Sequence, residues 1–161
     1  MTSFKTGLKG ATIAAVLLSC GSAWAVTDWN TPQEPFELYG NTWYVGTHDI
    51  SSVLITSPGG HVLIDGGDEN SPKLIVAHIR QLGFKVEDIK YILNSHVHRD
   101  HAGGIAELQR RSGAMVLSSV NGEVVLRTGR TGADDPQLTD LPPSMPAAAN
   151  THAVRDGEVV R

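Results

Sequence analysis

The sequence predicts an α/β chain of the α+β layered kind, a mixed sheet with helices packed on it. Three observations carry this. Short strand-like runs separated by turn residues fill the segment from Phe36 to Ile64. The apolar period then lengthens to that of a helix after Asn70. Beyond it, "KYILNS" and "AMVLSS" are continuous apolar runs with the length and bounds of buried strands.

Taken in order, "FELYG" and "NTWYVG" meet at Gly40-Asn41, a hairpin turn. "SSVLITS" and "HVLIDGG" are joined by Ser57-Pro58-Gly59-Gly60, a second hairpin. Asn70 or Ser71 can cap a helix that takes Pro72 in its first turn. Ile75, Ile79 and Leu82 share one face of it, and Gly83 ends it. After the strand in "KYILNS", "HAGGIAELQRRSG" reads as a helix with Ile105 and Leu108 on one face and Gly113 as its stop. "AMVLSS" is the next strand and "VNGEVVLRTG" a short helix. From Arg130 to Asn150 the prolines Pro136, Pro142, Pro143 and Pro146 break any regular period. "HAVRDGEVVR" then reads as strand, Asp-Gly turn, strand, and stops within its second arm, as a chain cut short would.

The 161 residues suffice for one domain with a real core. A net charge of −4 and the lack of a basic cluster argue against a nucleic-acid partner. No apolar stretch reaches the roughly 18 residues of a membrane span. The N-terminus differs from the rest. Lys5 and Lys9, the apolar run "ATIAAVLLSCGSA" and the small-x-small triplet Ala23-Trp24-Ala25 make a secretory signal peptide over residues 1–25. Residues 26–161 are then the mature domain, exported to the periplasm. Cys20, the one cysteine, lies inside that segment; lipidation there ranks second, because Leu18 fits the lipoprotein pattern poorly. The mature body therefore has no thiolate to serve as nucleophile or zinc ligand.

The chemistry gathers in "NSHVHRDHAGG". His96 and His98 are two residues apart, which in extended backbone points both imidazoles to one side. Asp100 and His101 follow at once. Imidazole and carboxylate are good zinc ligands. So tight a segment serves two ions, about 3.5–4 Å apart in known two-metal sites, more naturally than one. A hydrolytic zinc normally takes three protein ligands and a water, so each ion would lack a ligand from elsewhere. The alternative is a solvated His-rich turn, and three histidines with an aspartate at ligand spacing argue against it.

The loop resembles the HxHxDH signature of the metallo-β-lactamase superfamily. Its flanks, "ELYGNTWYVGTHDISSVLITSPGGHVLIDGG" and "IRQLGFKVEDIKYILNSHVHRDHAGGIAELQRRSG", are similar to class B β-lactamases of subclass three, from about Asn30 onward. This resemblance implies a zinc-dependent β-lactam hydrolase, an antibiotic-resistance enzyme with two zinc ions and a β-lactam as its small-molecule partner. It makes His96 and His98 ligands of the first zinc, and Asp100 and His101 ligands of the second. Asp100 also orients the attacking nucleophile, and Asp65 in "LIDGG" supports the ligand loop as a carboxylate behind a ligating histidine. The lack of a mature cysteine agrees with this subclass. The family's third histidine for each zinc, in a "GHTPG"-like context, has no counterpart here. The expectation is therefore the N-terminal half of an αββα sandwich, with weak zinc binding, little hydrolysis, and exposed apolar faces that favour self-association.

Two other functions stay open. One is another hydrolase of the superfamily, acting on a thioester, lactone or phosphoester. The other is a non-catalytic zinc-binding domain. Outside the loop, Asp65, Asp68 and Glu69 lack EF-hand spacing, so turn formation and helix capping explain them better than calcium. His48, His61 and His78 read as surface or hairpin residues. His152 reads as a strand-surface residue ahead of a third ligand. Trp43 and Tyr44 read as core and sheet-face residues, and Arg110-Arg111 as a solvated helix face.

Overall fold

The structure, a computed structural model, describes residues 29–138 and 144–160. The signal peptide and Cys20 expected from the sequence lie outside the described residues. So do Pro142 and Pro143.

Seven strands form one mixed sheet: β1 (Phe36–Tyr39), β2 (Thr42–Tyr44), β3 (Val53–Ile55), β4 (His61–Ile64), β5 (Ile89–Leu93), β6 (Met115–Ser118) and β7 (Thr151–Ala153). Their order across the sheet is their order in the chain. β1 to β4 pair antiparallel, and β4 to β7 pair parallel. The change of direction follows the connections. Gly40, at φ +58, closes the first hairpin, and Gly60, at φ +127, lies in the turn of the second. After β4, by contrast, each crossover carries a helix, which is what parallel pairing requires. These helices are α1 (Pro72–Gln81), α2 (Arg99–Ala102), α3 (Ile105–Ser112) and α4 (Val120–Thr128). Among the described residues no helix is long and apolar enough to cross a membrane.

Period-two alternation sorts the strand residues onto two faces. One transverse row runs Trp43, Leu54, Leu63, Ile92, Val116, each beside the next in register. Leu54, Leu63, Ile92 and Val116 are fully buried in a cluster with Ile75 and Ile79 of α1 and Ile105 and Leu108 of α3. Sealing each such side chain contributes about 1.5–3 kcal/mol. The rows on the other face, such as Ile55, Val62, Tyr91 and Met115, are equally apolar but only half-buried.

The expected helix 72–81 forms, with Ile75 and Ile79 buried, but its cap differs from expectation. Ser71 occupies the N-cap position without a side-chain capping bond. The Asp68 carboxylate orders the turn leading into the helix, its Oδ1 accepting from the amides of Asn70 (2.8 Å) and Ser71 (3.0 Å). Ser71 Oγ instead donates to Asn30 Oδ1 (2.7 Å). The single helix expected from His101 to Ser112 is two helices, split at Gly103-Gly104. A Cβ at Gly104 would press into the carbonyl oxygens of Gly66 and Asp68, and one at Gly103 into that of Arg99. The glycine pair is where the loop after β4 presses onto the His-rich segment.

The expected C-terminal hairpin is absent. Thr151–Ala153 adds to the sheet in parallel beside β6, and residues 158–160 form no strand. The Asp-Gly turn does form, with Gly157 at φ +77, but its far arm is held by side-chain bonds rather than by a ladder. Glu158 accepts from the Arg155 amide (3.0 Å) and pairs with His152 Nε2 (2.6 Å).

Candidate metal centre

Parallel strands end at the same edge of a sheet, and open α/β sheets place their sites there. β4, β5 and β6 bring three loops to that edge. Asp65 follows β4 directly, Asn94 to His101 follow β5, and Ser119 follows β6. Backbone bonds lock the loops together: Asp65 N to Leu93 O (2.9 Å), Asn94 N to Leu117 O (2.9 Å), Gly66 N to His101 O (2.8 Å) and Gly104 N to Gly67 O (3.0 Å). Arg99 Nε adds an ion pair to Glu69 Oε2 at 2.6 Å.

Asp65 is the hub. It is buried, and it sits at φ +60, the one described non-glycine residue with positive φ. Such left-handed backbone is tolerated better by aspartate than by most residues. Its Oδ1 accepts from Ser95 N (2.8 Å) and Asn94 Nδ2 (3.2 Å). Its Oδ2 accepts from Ser95 Oγ (2.6 Å) and His101 Nδ1 (2.8 Å).

That network assigns the imidazole protons. A carboxylate only accepts, so His101 carries its proton on Nδ1 and its lone pair on Nε2. Ser95 gives its one hydroxyl proton to Asp65, so toward His96 Nδ1, 3.2 Å away, it can only accept. His96 therefore also holds its lone pair on Nε2. Burial, then the neighbouring His101 and His98, push the His96 pKa below the usual imidazole value and favour the neutral ring.

His96, Asp100 and His101 each place one ligand atom within 4.8 Å of the others. His101 Nε2 faces Asp100 Oδ2 at 3.3 Å, an arrangement of two acceptors that a cation between them relieves. A neutral nitrogen, carboxylate-oxygen set without thiolate suits zinc. The donor chemistry thus fits a metal of that kind. His98 stands outside this group. Its ring lies edge-on to His96 at 5.0 Å, and its Nε2 meets Asp135 Oδ2 at 3.1 Å. The four loop residues named from the sequence are therefore neighbours, but three share one donor point and the fourth has turned to a carboxylate.

Asp135 was missed in the sequence. It lies 37 positions from His98 in a proline-rich loop, and nothing local marks it. Ser95 was within the quoted motif but had no role assigned; only the fold shows it bridging His96 and Asp65. The lone histidines separate clearly. His48 is exposed beside Asp49, and His152 is exposed and paired to Glu158. His61 is a hairpin residue, as one of the two readings had it, though buried edge-on against Phe84. The surface reading fails for His78, which is buried with Nδ1 on Val45 O (2.9 Å). Helix α1 and the second hairpin turn these two rings into the packed interior. Arg110 and Arg111 are exposed as expected, and Trp43 packs half-buried against the core.

Beside His96 a cavity of about 480 Å³ is lined by Val97, Ser119, Asn121, Val124 and Asp135 among others. Comparisons with known proteins agree with this architecture. The family described as "Metallo-beta-lactamase superfamily" matches residues 45–158. MEM-A1, a subclass B3 metallo-β-lactamase from a soil metagenome library, is 63% identical, over 83% of this chain and 50% of that one, with a TM-score of 0.80. SMB-1, a metallo-β-lactamase solved with 2-mercaptoethanesulfonate bound, is 49% identical over 83% of this chain and 51% of its own, with a TM-score of 0.80. The N-acyl homoserine lactonase AttM of Rhizobium radiobacter is 39% identical over 32% of this chain and 28% of the lactonase. The chain thus spans about half the length of these solved relatives, and it belongs to the metallo-β-lactamase superfamily.

Proposed function

We propose that these residues form the metal-loop half of a zinc-dependent β-lactam hydrolase. The observation that carries the reading is the convergence of His96, Asp100 and His101 within 4.8 Å, in a chain 63% identical to a subclass B3 enzyme over 83% of its length. His96 and His98 would hold one ion, and Asp100 and His101 the other, close enough together for the 4.8 Å spread of the His96, Asp100 and His101 donors. Bound zinc supplies Lewis acidity and, by acidifying water, a nucleophile at neutral pH. The protein's own part is to hold protons in place. Asp65 keeps the His101 proton on Nδ1, and Ser95 keeps that of His96 on Nδ1. Asp100, with its side chain 39% exposed, orients the attacking water. The adjoining cavity is of the size that small-molecule sites have, roughly 300–1,000 Å³.

The chain alone is expected to bind zinc weakly and hydrolyse slowly. Its half-buried sheet face and exposed Phe36, Leu38 and Tyr39 favour self-association. The reading also includes export to the periplasm by residues 1–25. The likeness to a lactonase supports a second reading, lactone opening by the same donors. The test is a chimera joining this chain to the remaining half of MEM-A1, assayed with nitrocefin and with an N-acyl homoserine lactone. Chelator-sensitive nitrocefin hydrolysis supports the first reading. A zinc-loaded chimera that opens only the lactone overturns it.

A further inference from the structure

We infer that Asp135 is the positioning carboxylate of His98, fixing which ring nitrogen that histidine offers to a metal. The inference rests on the proposed metal-binding role of the loop and adds a residue to it. His98 Nε2 lies 3.1 Å from Asp135 Oδ2, with Asp135 only 11% exposed and His98 24% exposed. A carboxylate accepts, so the His98 proton sits on Nε2 and the lone pair on Nδ1. His96 and His101 are tied the other way, through Nδ1 to Ser95 and Asp65, and keep their lone pairs on Nε2. The loop therefore presents two nitrogens of one kind and one of the other, and a different carboxylate fixes each kind.

Asp135 is itself held. Its Oδ1 accepts from Gln137 N (2.8 Å), and its amide donates to Gly132 O (3.2 Å). The turn from Gly132 to Gln137 thus orients the carboxylate before any ligand arrives. Such partners behind ligating histidines raise their basicity and remove the cost of sorting tautomers at binding. They also make this turn a wall of the cavity beside His96 whose position depends on His98.

The test uses the whole chain, as wild type, Asp135→Asn and Asp135→Ala. Nitrogen-15 imidazole spectra at mildly alkaline pH, without metal, report each tautomer directly. Zinc affinity is measured by competition with a chromophoric chelator, and circular dichroism checks the fold. Wild type is expected to show His98 as the Nε2–H tautomer. Asp135→Ala is expected to mix the tautomers and weaken zinc by about 10–100-fold. Asp135→Asn, whose oxygen stays on the Gln137 amide, turns its Nδ2 donor toward His98 and should switch the ring to Nδ1–H, also weakening zinc. Unchanged tautomer and affinity in folded Asp135→Ala overturn this inference alone. A wild type that binds no zinc overturns the metal-binding reading and this inference with it. Should Asp135→Ala misfold, Asp135→Asn decides: a His98 that stays Nε2–H with unchanged zinc affinity in the Asn variant, or that is Nδ1–H in wild type, also overturns the inference.

Discussion

Replacing Asp65 separates its two burdens, the hydrogen-bond hub and the left-handed backbone. Alanine removes an acceptor for four donors. Asn94 Nδ2 keeps His96 O at 2.7 Å, and the His101 ring, 24% exposed, can turn to water. The Ser95 amide and hydroxyl lose charge-assisted bonds of 2.8 and 2.6 Å. At about 1.5–3 kcal/mol for a bond to a charged group, Asp65→Ala should cost about 3–5 kcal/mol. Glycine loses the same bonds but accepts φ +60 freely. A Cβ there costs about 1–2 kcal/mol. The wider unfolded freedom of glycine takes back about 0.4–1 kcal/mol. Asp65→Gly should therefore be more stable than Asp65→Ala by up to about 1.6 kcal/mol, with a central value of about 0.8 kcal/mol, by these same terms. Asparagine, tolerant of this backbone and still accepting at one atom, should be the mildest. Urea unfolding of the four proteins at neutral pH measures the order wild type, Asn, Gly, Ala. Glycine at or below alanine would refute the strain argument, and an alanine loss under about 1 kcal/mol would refute the hub.

Asp68 gives a pH-dependent prediction. Burial raises its pKa, but hydrogen bonds from Asn30, Asn70 and Ser71 outweigh that and hold it below the usual 3.8. A depressed folded pKa contributes stability above the unfolded value that is lost as pH falls through the folded one. The urea midpoint of Asp68→Asn should trail wild type at neutral pH, and the gap should close as the pH is lowered past 3.8; a gap constant with pH contradicts the assignment. Gly104→Ala should cost about 1–3 kcal/mol or more, read by thermal melting, because its Cβ meets two backbone carbonyls that cannot step aside. Zinc should raise the melting temperature by mass action, by an amount that grows with concentration. His101→Ala should abolish most of that rise, and an equal rise in the variant would remove His101 from the donor set.

Local chemistry made much of this molecule legible. Gly40-Asn41 and Ser57 to Gly60 announce their hairpins because the turn residues adopt conformations others resist. Ile75 and Ile79, four apart, announce the helix face that seals the core. The His-rich loop was legible because ligands within six residues need no fold to be neighbours. What stayed hidden depends on long-range pairing. "HAVRDGEVVR" has a hairpin's signals, yet the edge of β6 captured its first arm in parallel. Local pattern is silent on which of two available edges a strand will join. Likewise Asp135 reaches His98 only through the path of a proline-broken loop. The split at Gly103-Gly104 was readable as two glycines, but its reason lies in the loop pressed against them.

The agreement between strand order and chain order bears on how the molecule comes into being. Each strand from β2 on is laid beside the one made just before it, so no early pairing waits for distant chain. A nascent polypeptide leaving the ribosome can extend this sheet by accretion, one strand at a time, with the growing edge always the newest. β7 obeys the same order but waits longest, joining β6 only after the excursion from Ser119 to Asn150. The entropic delay of that closure, the longest connection between neighbouring strands of this sheet, falls on the segment carrying Asp135, so the wall beside His96 forms after the β1–β6 part of the sheet it leans on.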